Sequence, residues 1–240
     1  MNILVLQHID CEPPAAYGSA LAARGHVLLP VEVDEGEPLP DWRDFGAIVA
    51  MGGPIGVYED AAYPWLVAEK QLIGDAVRAG LPYFGACLGV QLLAAALGGR
   101  VYAGETPEVG LLDVMLTEAG LRDPVASILP PTFKALQWHG DTFDLPEGAV
   151  SLFSSPAYAN QGFRFGEVAY GIQFHLEVDQ QLADDWAQIP AYKTAAETVL
   201  GPGGLDQLLA GVLEHSERML PHAHVLIDAW LDQILEHGHV

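Results

Sequence analysis

The sequence predicts an α/β protein: an open, mostly parallel sheet with helices on both faces, continued by helices at the C-terminal end. Three observations carry this. Short apolar runs alternate with helix-period segments through the first half of the chain, the pattern of βαβ units. Glycines stand where two of those helical segments stop. The 240 residues are half hydrophobic, enough to bury one large core.

Taken in order, NILVLQ at 2–7 is a short apolar run and reads as the first strand. Pro13-Pro14 open a small-residue helix over about 14–24, stopped by Gly25. HVLLPVEV at 26–33 is the second strand, and GAIVAM at 46–51 is the third, running into a Gly52-Gly53-Pro54 loop. Across 64–79, apolar positions recur with helical spacing (Trp65, Val67, Leu72, Ile73, Ala76, Val77), and Gly80 ends them. LPYFGA at 81–86 is the fourth strand, with a helix over 88–97.

The second half reads differently. Strands are expected at 109–117, 133–137, 149–153 and 168–175, with little helix between them, which predicts hairpins or an antiparallel edge. Beyond about 178 the chain reads as helical, broken by Gly-Pro-Gly-Gly at 201–204. No repeat, low-complexity tract or linker interrupts it. The expected division is one domain over 1–188 and a helical extension over 189–240 packed on it.

There are 32 acidic against 10 basic residues, a net charge of −22. Such a surface repels phosphate backbones and anionic membranes, so neither nucleic acid nor membrane is an expected partner; the plain reading of the acidity is solubility. MNILVLQHID has no basic n-region or small-residue cleavage site, so no signal peptide is expected. No apolar run reaches the roughly 18 residues of a membrane helix. Two cysteines, Cys11 and Cys87, are too few for a disulfide framework, and the expected compartment is the reducing cytoplasm.

Cys87 stands in Gly85-Ala86-Cys87-Leu88-Gly89, between a strand and a helix. This is the pattern of a nucleophile elbow with Cys in place of Ser. The turn forces the nucleophile into a strained conformation. Bulkier residues at 85 and 89 would collide with the adjoining strand and helix, and the helix N-terminus favours a thiolate. The plainer alternative is a small buried Cys beside packing glycines. A thiolate attacking a carbonyl needs a proton shuttle and a group to orient it. His175 ends an apolar strand in GIQFHLEV, and Glu177, two residues on, points to the same side of extended chain. The tetrahedral oxyanion needs N–H donors. Leu88, next to the nucleophile, and the Gly52-Gly53 loop at the same sheet edge are the candidates.

These stretches together resemble the class I (triad) glutamine amidotransferases: Gly85 to Leu93, Met51-Gly52-Gly53-Pro54, and Phe174-His175-Leu176-Glu177-Val178. The similarity spans about 2–185 and is nearest to stand-alone proteins similar to the glutaminase domain of GMP synthase. Gln137-Trp138-His139-Gly140-Asp141 and Asn160-Gln161-Gly162-Phe163-Arg164 also match that subgroup. The resemblance implies a flavodoxin-like fold and hydrolysis of the glutamine side-chain amide through a γ-glutamyl thioester, with release of ammonia. It makes Cys87 the nucleophile, His175 the general base and acid, Glu177 the orienter, and Gly53 and Leu88 the oxyanion hole. Gln91 would contact the substrate. The 108–111 segment (with Val109 and Gly110) and Trp138, His139, Gly140 and Asp141, read as a loop, would line the pocket. Two positions depart from the family pattern. Val90 stands where His or Met is common. Leu176 replaces the usual Pro between His175 and Glu177, leaving that turn without a ring to stiffen it.

No metal or organic cofactor is implied. His8 and Asp10 offer two ligand types near the active edge but no third, and no phosphate-cradling glycine motif is present. Cys11 reads as incidental. His215, His222, His224, His237 and His239 read as surface positions, and Trp186 and Trp230 as core or appendage packing. The expected partners are L-glutamine or another γ-glutamyl compound and a separate synthase, since 240 residues leave no room for an ATP-pyrophosphatase module. Two alternatives stay open: a γ-glutamyl peptide or conjugate hydrolase with the same triad, and a catalytically weak binding or regulatory subunit. A different flavodoxin-like cysteine family is less consistent with the His-x-Glu pair.

Overall fold

The computed structural model describes residues 1–238. One nine-stranded sheet runs through the molecule. Its strands are β1 (Asn2–Gln7), β2 (Val27–Glu32), β3 (Ala47–Ala50), β4 (Tyr83–Ala86), β5 (Val101–Leu116), β6 (Thr132–Phe143), β7 (Val150–Ser154), β8 (Gly162–Phe165) and β9 (Ala169–Ile172). The helices are α1 (Ala15–Ala23), α2 (Trp65–Arg78), α3 (Leu88–Ala96), α4 (Gln180–Trp186), α5 (Pro190–Leu200) and α6 (Gly204–Glu236). The strand order is β2-β1-β3-β4-β9-β8-β7-β5-β6. From β2 to β9 neighbours are parallel; from β9 to β6 they are antiparallel.

The parallel half is what a continuous apolar run dictates, because both faces of a central strand are buried. Alternate residues go to opposite layers. Ile3, Val5, Val49, Phe84 and Ala86 pack with α1 and α6, while Leu4, Leu6, Ile48 and Tyr83 pack with α2 and α3. Pro30 is accommodated because β2 is an edge strand. The C-terminal helices share this core. Ala223, Leu226, Ile227, Trp230, Leu231 and Ile234 of α6 are buried in the same cluster as β1, β3 and β4. The boundary expected near 188 therefore divides the chain but not its core. The break before α6 falls where expected, on Gly201 (φ +74°) and Gly203 (φ +76°).

The antiparallel half departs from expectation in four places. β5 begins at Val101, upstream of 109, and β6 continues to Phe143, so the 138–141 segment read as a loop is strand. Its polar residues hide the periodicity; hydrogen bonding to β5 makes it a strand, with His139 opposite Glu108 and Asp141 opposite Ala103. β8 has no counterpart among the expected strands: Gly162 and Arg164 interrupt the apolar run of GFRF, and its strand character comes from pairing with β7 and β9. The last strand stops at Ile172, and the chain beyond it is held by single pairings instead: Gln173 N–H to Gln161 O, and His175 to Leu136 in both directions. Among the C-terminal histidines, His224 and His237 are exposed, whereas His215 and His222 are half-buried. The His222 ring lies edge-on to Phe133 at 5.8 Å, so part of it packs on the core. His239 lies outside the described residues. No helix among them is long and apolar enough to cross a membrane.

Candidate active site

The turn from β4 into α3 places Cys87 at φ +53°, ψ −107°, a left-handed conformation rare for a residue with a side chain. Close packing holds it there. A Cβ on Gly89 would lie 2.1 Å from the Ala50 carbonyl oxygen of β3, and one on Gly85 would lie 2.6 Å from the Gly89 backbone. The Cys87 N–H is tied to Ile172 O of β9 at 2.9 Å. Val90, where the resemblance leads one to expect His or Met, is buried against Gly171, so it fills space between α3 and β9. Gly89→Ala therefore has no room and must push α3 off β3. It is expected to cost about 3 kcal/mol or more and to lower the melting temperature by roughly 10 °C, as measured by circular dichroism.

His175 is positioned by β6: its N–H donates to Leu136 O at 2.8 Å and its C=O accepts from Leu136 N–H at 3.1 Å. The imidazole Nδ1 meets Glu177 Oε1 at 2.7 Å, both side chains being buried. Burial alone would push this imidazole down. The Glu177 carboxylate and the adjoining Cys87 thiol outweigh burial and hold it well above its ordinary 6.5. Trp186 of α4 lies edge-on to the imidazole at 4.8 Å, so its packing is against the site itself. The turn lacking proline is not slack. The Leu176 N–H, a donor proline lacks, gives hydrogen bonds to Glu177 Oε2 at 3.0 Å and to the Tyr17 hydroxyl at 3.2 Å.

Two backbone N–H groups expected to serve an oxyanion belong to residues that line the same cavity as Cys87. Leu88 is the first residue of α3, where N–H groups lack intrahelical partners, and Gly53 follows β3 at the same sheet edge. Neither N–H meets a protein acceptor among the described residues.

Cys87 opens into a cavity of about 380 Å³. Gly53, Leu88, Gln91, Val109, Trp138, His139, Gly140 and Asp141 all line it. Gly110 does not. Strand alternation turns it away from Val109, towards a separate depression against α6 lined by Leu111 and Leu208. Glu108 also sits behind the wall, where its Oε2 accepts from Gln161 Nε2 and lies 3.2 Å from His139 Nε2. His139 Nδ1 donates to Asp141 O at 2.8 Å. Asp141 Oδ1 accepts from the Tyr58 hydroxyl at 3.2 Å, and burial raises its carboxyl above the ordinary value.

Sequence reasoning passed over several residues that the fold brings here. Gln173 Nε2 points at Cys87 Sγ at 3.6 Å, and Gln173 Oε1 accepts from Gln91 Nε2 at 3.0 Å. The signal for Gln173 was present, since it shares strand parity with His175. Tyr192 of α5 lines the cavity and donates to Glu12 Oε1. Burial raises the Glu12 carboxyl, partly offset by nearby His175. His8 and Asp10 do not come together: His8 is buried and Asp10 exposed.

The glutamine amidotransferase class-I family model matches residues 20–186. The chain is 34% identical over 181 residues to the glutamine amidotransferase-like protein YfeJ of Salmonella typhimurium, covering 74% of this chain and 76% of that one. It is 32% identical over 145 residues to a glutamine-hydrolysing GMP synthase of Neisseria gonorrhoeae, covering 59% of this chain but 26% of that protein. A glutamine amidotransferase structure from Thermotoga maritima matches with a TM-score of 0.84 and 30% identity, over 97% of this chain and 98% of that one. Another, from Methylobacillus flagellatus, gives 0.86 and 26%, over 97% and 94%.

Proposed function

Because this chain belongs to the class I glutamine amidotransferase family, we propose that it hydrolyses the side-chain amide of glutamine, or of another γ-glutamyl compound, through a thioester on Cys87. The Cys87 thiolate attacks the γ-carbonyl carbon, and the oxyanion that forms accepts from the Gly53 and Leu88 N–H groups. The His175 imidazolium, held by Glu177, gives its proton to the departing nitrogen. The C–N bond breaks and ammonia leaves a γ-glutamyl thioester. His175, now neutral, takes a proton from water, whose oxygen attacks the thioester; the thiolate departs and glutamate is released.

One observation carries this reading: a strained cysteine adjoins the His175–Glu177 pair, with two N–H groups nearby that have no partner among the described residues. Glutamine as the natural substrate and a separate synthase receiving the ammonia belong to the same proposal. The match spans about a quarter of the GMP synthase, so that protein's acceptor chemistry is not carried over.

A second reading is favoured by the cavity wall. Ala191, Ala195 and Val199 of α5, with Pro107 and Trp138, make one side of it apolar, and no Lys or Arg lines it. An apolar amine substituent on a γ-glutamyl group would be covered there. Measuring ammonia from glutamine against glutamate from γ-glutamyl peptides, at equal enzyme, separates the two. Ammonia from glutamine at the higher kcat/KM supports the first; faster peptide cleavage supports the second. If neither is turned over and a glutamine-like diazo-ketone leaves Cys87 unlabelled, the chain is a binding module.

A further inference from the structure

We propose that His8, clamped by Glu69, is a positioning residue for the oxyanion hole: it locks the Gly52–Gly53 peptide so that the Gly53 N–H faces the reacting carbonyl. The inference rests on the γ-glutamyl amide hydrolase reading above and adds a part to it.

β1 lies beside β3 in the sheet, so His8, one residue past the end of β1, stands next to the loop that leaves β3. Its Nδ1 is 3.1 Å from Gly52 O and its Nε2 is 2.8 Å from Glu69 Oε1. The Gly52 carbonyl can only accept, so Nδ1 carries the hydrogen that holds it, and Glu69 fixes the ring from the Nε2 side. The two side chains are wholly buried. Trp65 stacks on the ring, at 5.9 Å and 19° between planes. Burial opposes the charge on His8, but Glu69 and the Gly52 carbonyl outweigh it and raise the imidazole above 6.5.

The consequence for the loop is geometric. In a trans peptide the C=O of one residue and the N–H of the next point in opposite directions. With Gly52 C=O drawn towards His8, Gly53 N–H must point away from it. Gly53 lines the cavity with Cys87 and Leu88, whereas His8 does not, so the N–H turns to the cavity side. Gly52 and Gly53 have no side chains to fix this plane themselves. Rotated by about 180°, the same peptide would present a carbonyl oxygen to the developing oxyanion and repel it. Even the space supports a clamp: a Cβ on Gly53 would lie 2.9 Å from His8 Cβ and 3.1 Å from Leu88 Cδ2. A buried His–Glu pair is a poor source of stability in itself; aiming an N–H donor at one loop carbonyl gives this one a use.

The test compares side chains of similar shape that differ in donor capacity. Asn at position 8 puts an amide N–H near the place of Nδ1, and Leu does not. The double variant His8→Leu/Glu69→Leu exchanges the His–Glu pair for apolar groups, a change that commonly keeps or raises stability. Expected for His8→Leu and for the double variant is a kcat about 10²-fold lower, near the loss of one oxyanion donor, with KM within about twofold. Alkylation of Cys87 by iodoacetamide, which develops no oxyanion, should stay within about twofold. His8→Asn should recover most of the lost kcat. Crystal structures should show the Gly52–Gly53 peptide rotated in the leucine variants and unrotated in His8→Asn.

Equal kcat in the folded double variant and the parent would overturn the inference, as would an unrotated peptide in both leucine variants, or parallel losses in turnover and alkylation. The underlying reading is judged separately, by whether the parent turns over any γ-glutamyl amide and Cys87→Ala does not. If the parent is inactive, the peptide orientation in the variants still decides the role of His8.

Discussion

Cys87→Ala is expected to abolish turnover of any γ-glutamyl amide, a fall of at least ~10⁴-fold in kcat, with the thermal midpoint unchanged or slightly raised. The other cysteine is not placed to take over: Cys11 is half-buried outside the cavity, and burial pushes its thiol up to about 11. Alanine also relaxes nothing in the packing, because the strain at φ +53° is imposed by Gly85, Gly89 and the Ile172 bond rather than by the thiol. His175→Ala should lose nearly as much, since the thiol then lacks its base and the leaving nitrogen its acid. Glu177→Gln should lose up to ~10⁴-fold, the size of loss when an amide replaces a triad carboxylate, because the backbone pairing of His175 to Leu136 that remains does not orient the imidazole. The pH profile follows from the charge on His175. Glu177 and the thiol hold the imidazole well above 6.5 in the folded enzyme, so it remains an acid through neutral pH and is lost as pH rises through that raised value. The basic limb of kcat should therefore lie well above pH 6.5, and Glu177→Gln should move it down. A limb that stays in place on removing the Glu177 charge would separate these two residues. Stopped-point ammonia and glutamate assays across pH, with mass spectrometry of the thioester, read all three variants.

How much of this was legible in the sequence depends on how local each determinant is. β1, β3 and β4 are continuous apolar runs, and a strand buried on both faces reads that way without reference to its neighbours; β2, at the sheet edge, is apolar enough to read as strand although little of it is buried. The elbow is local too: five residues contain the turn, the glycines that permit it and the start of the helix. His175 and Glu177 are linked by strand parity alone. By contrast, β6 between Gln137 and Asp141 carries Gln137 and His139, which pair with Gln161 and Glu108 from elsewhere in the fold, so its strand character comes from pairing with β5 and was read as a loop. Tyr17 lies in a helix of small residues, and its hydroxyl reaches Leu176 only after 159 residues of intervening chain. Tyr192 finds Glu12 across 180. Such contacts have no spacing signature, and the strand order that creates them is visible only when the sheet is assembled. Gly110 shows the opposite error: adjacency to Val109 suggested a shared role, while alternation put the two on different faces.

The last consequence concerns α6, which lies beyond the residues matched by the family model. Trp230→Ala is expected to lower the stability of the whole molecule, by about 4 kcal/mol, within the range for truncating a large buried aromatic. The indole is fully buried in the cluster that includes Ile3, Val49 and Phe84, and its ring lies 5.7 Å from that of Phe84. Its Nε1 donates to Val168 O at 2.9 Å, next to the start of β9. Alanine therefore leaves a cavity under the parallel strands and removes one of the two hydrogen bonds to Val168 O, the other coming from Tyr83 N–H at 3.3 Å, beside the strand that receives the Cys87 N–H. For a chain of this size 4 kcal/mol corresponds to roughly 8–16 °C in melting temperature. Far-ultraviolet circular dichroism and loss of turnover should report one shared transition, because β4, which carries Phe84 into the elbow, loses its cover at the same moment. Were α6 merely laid on a finished domain, the variant would fray at its C-terminal end while turnover persisted to the parent's midpoint. Those two patterns differ in a single heating experiment, and the shared core of α6 with β1, β3 and β4 requires the first.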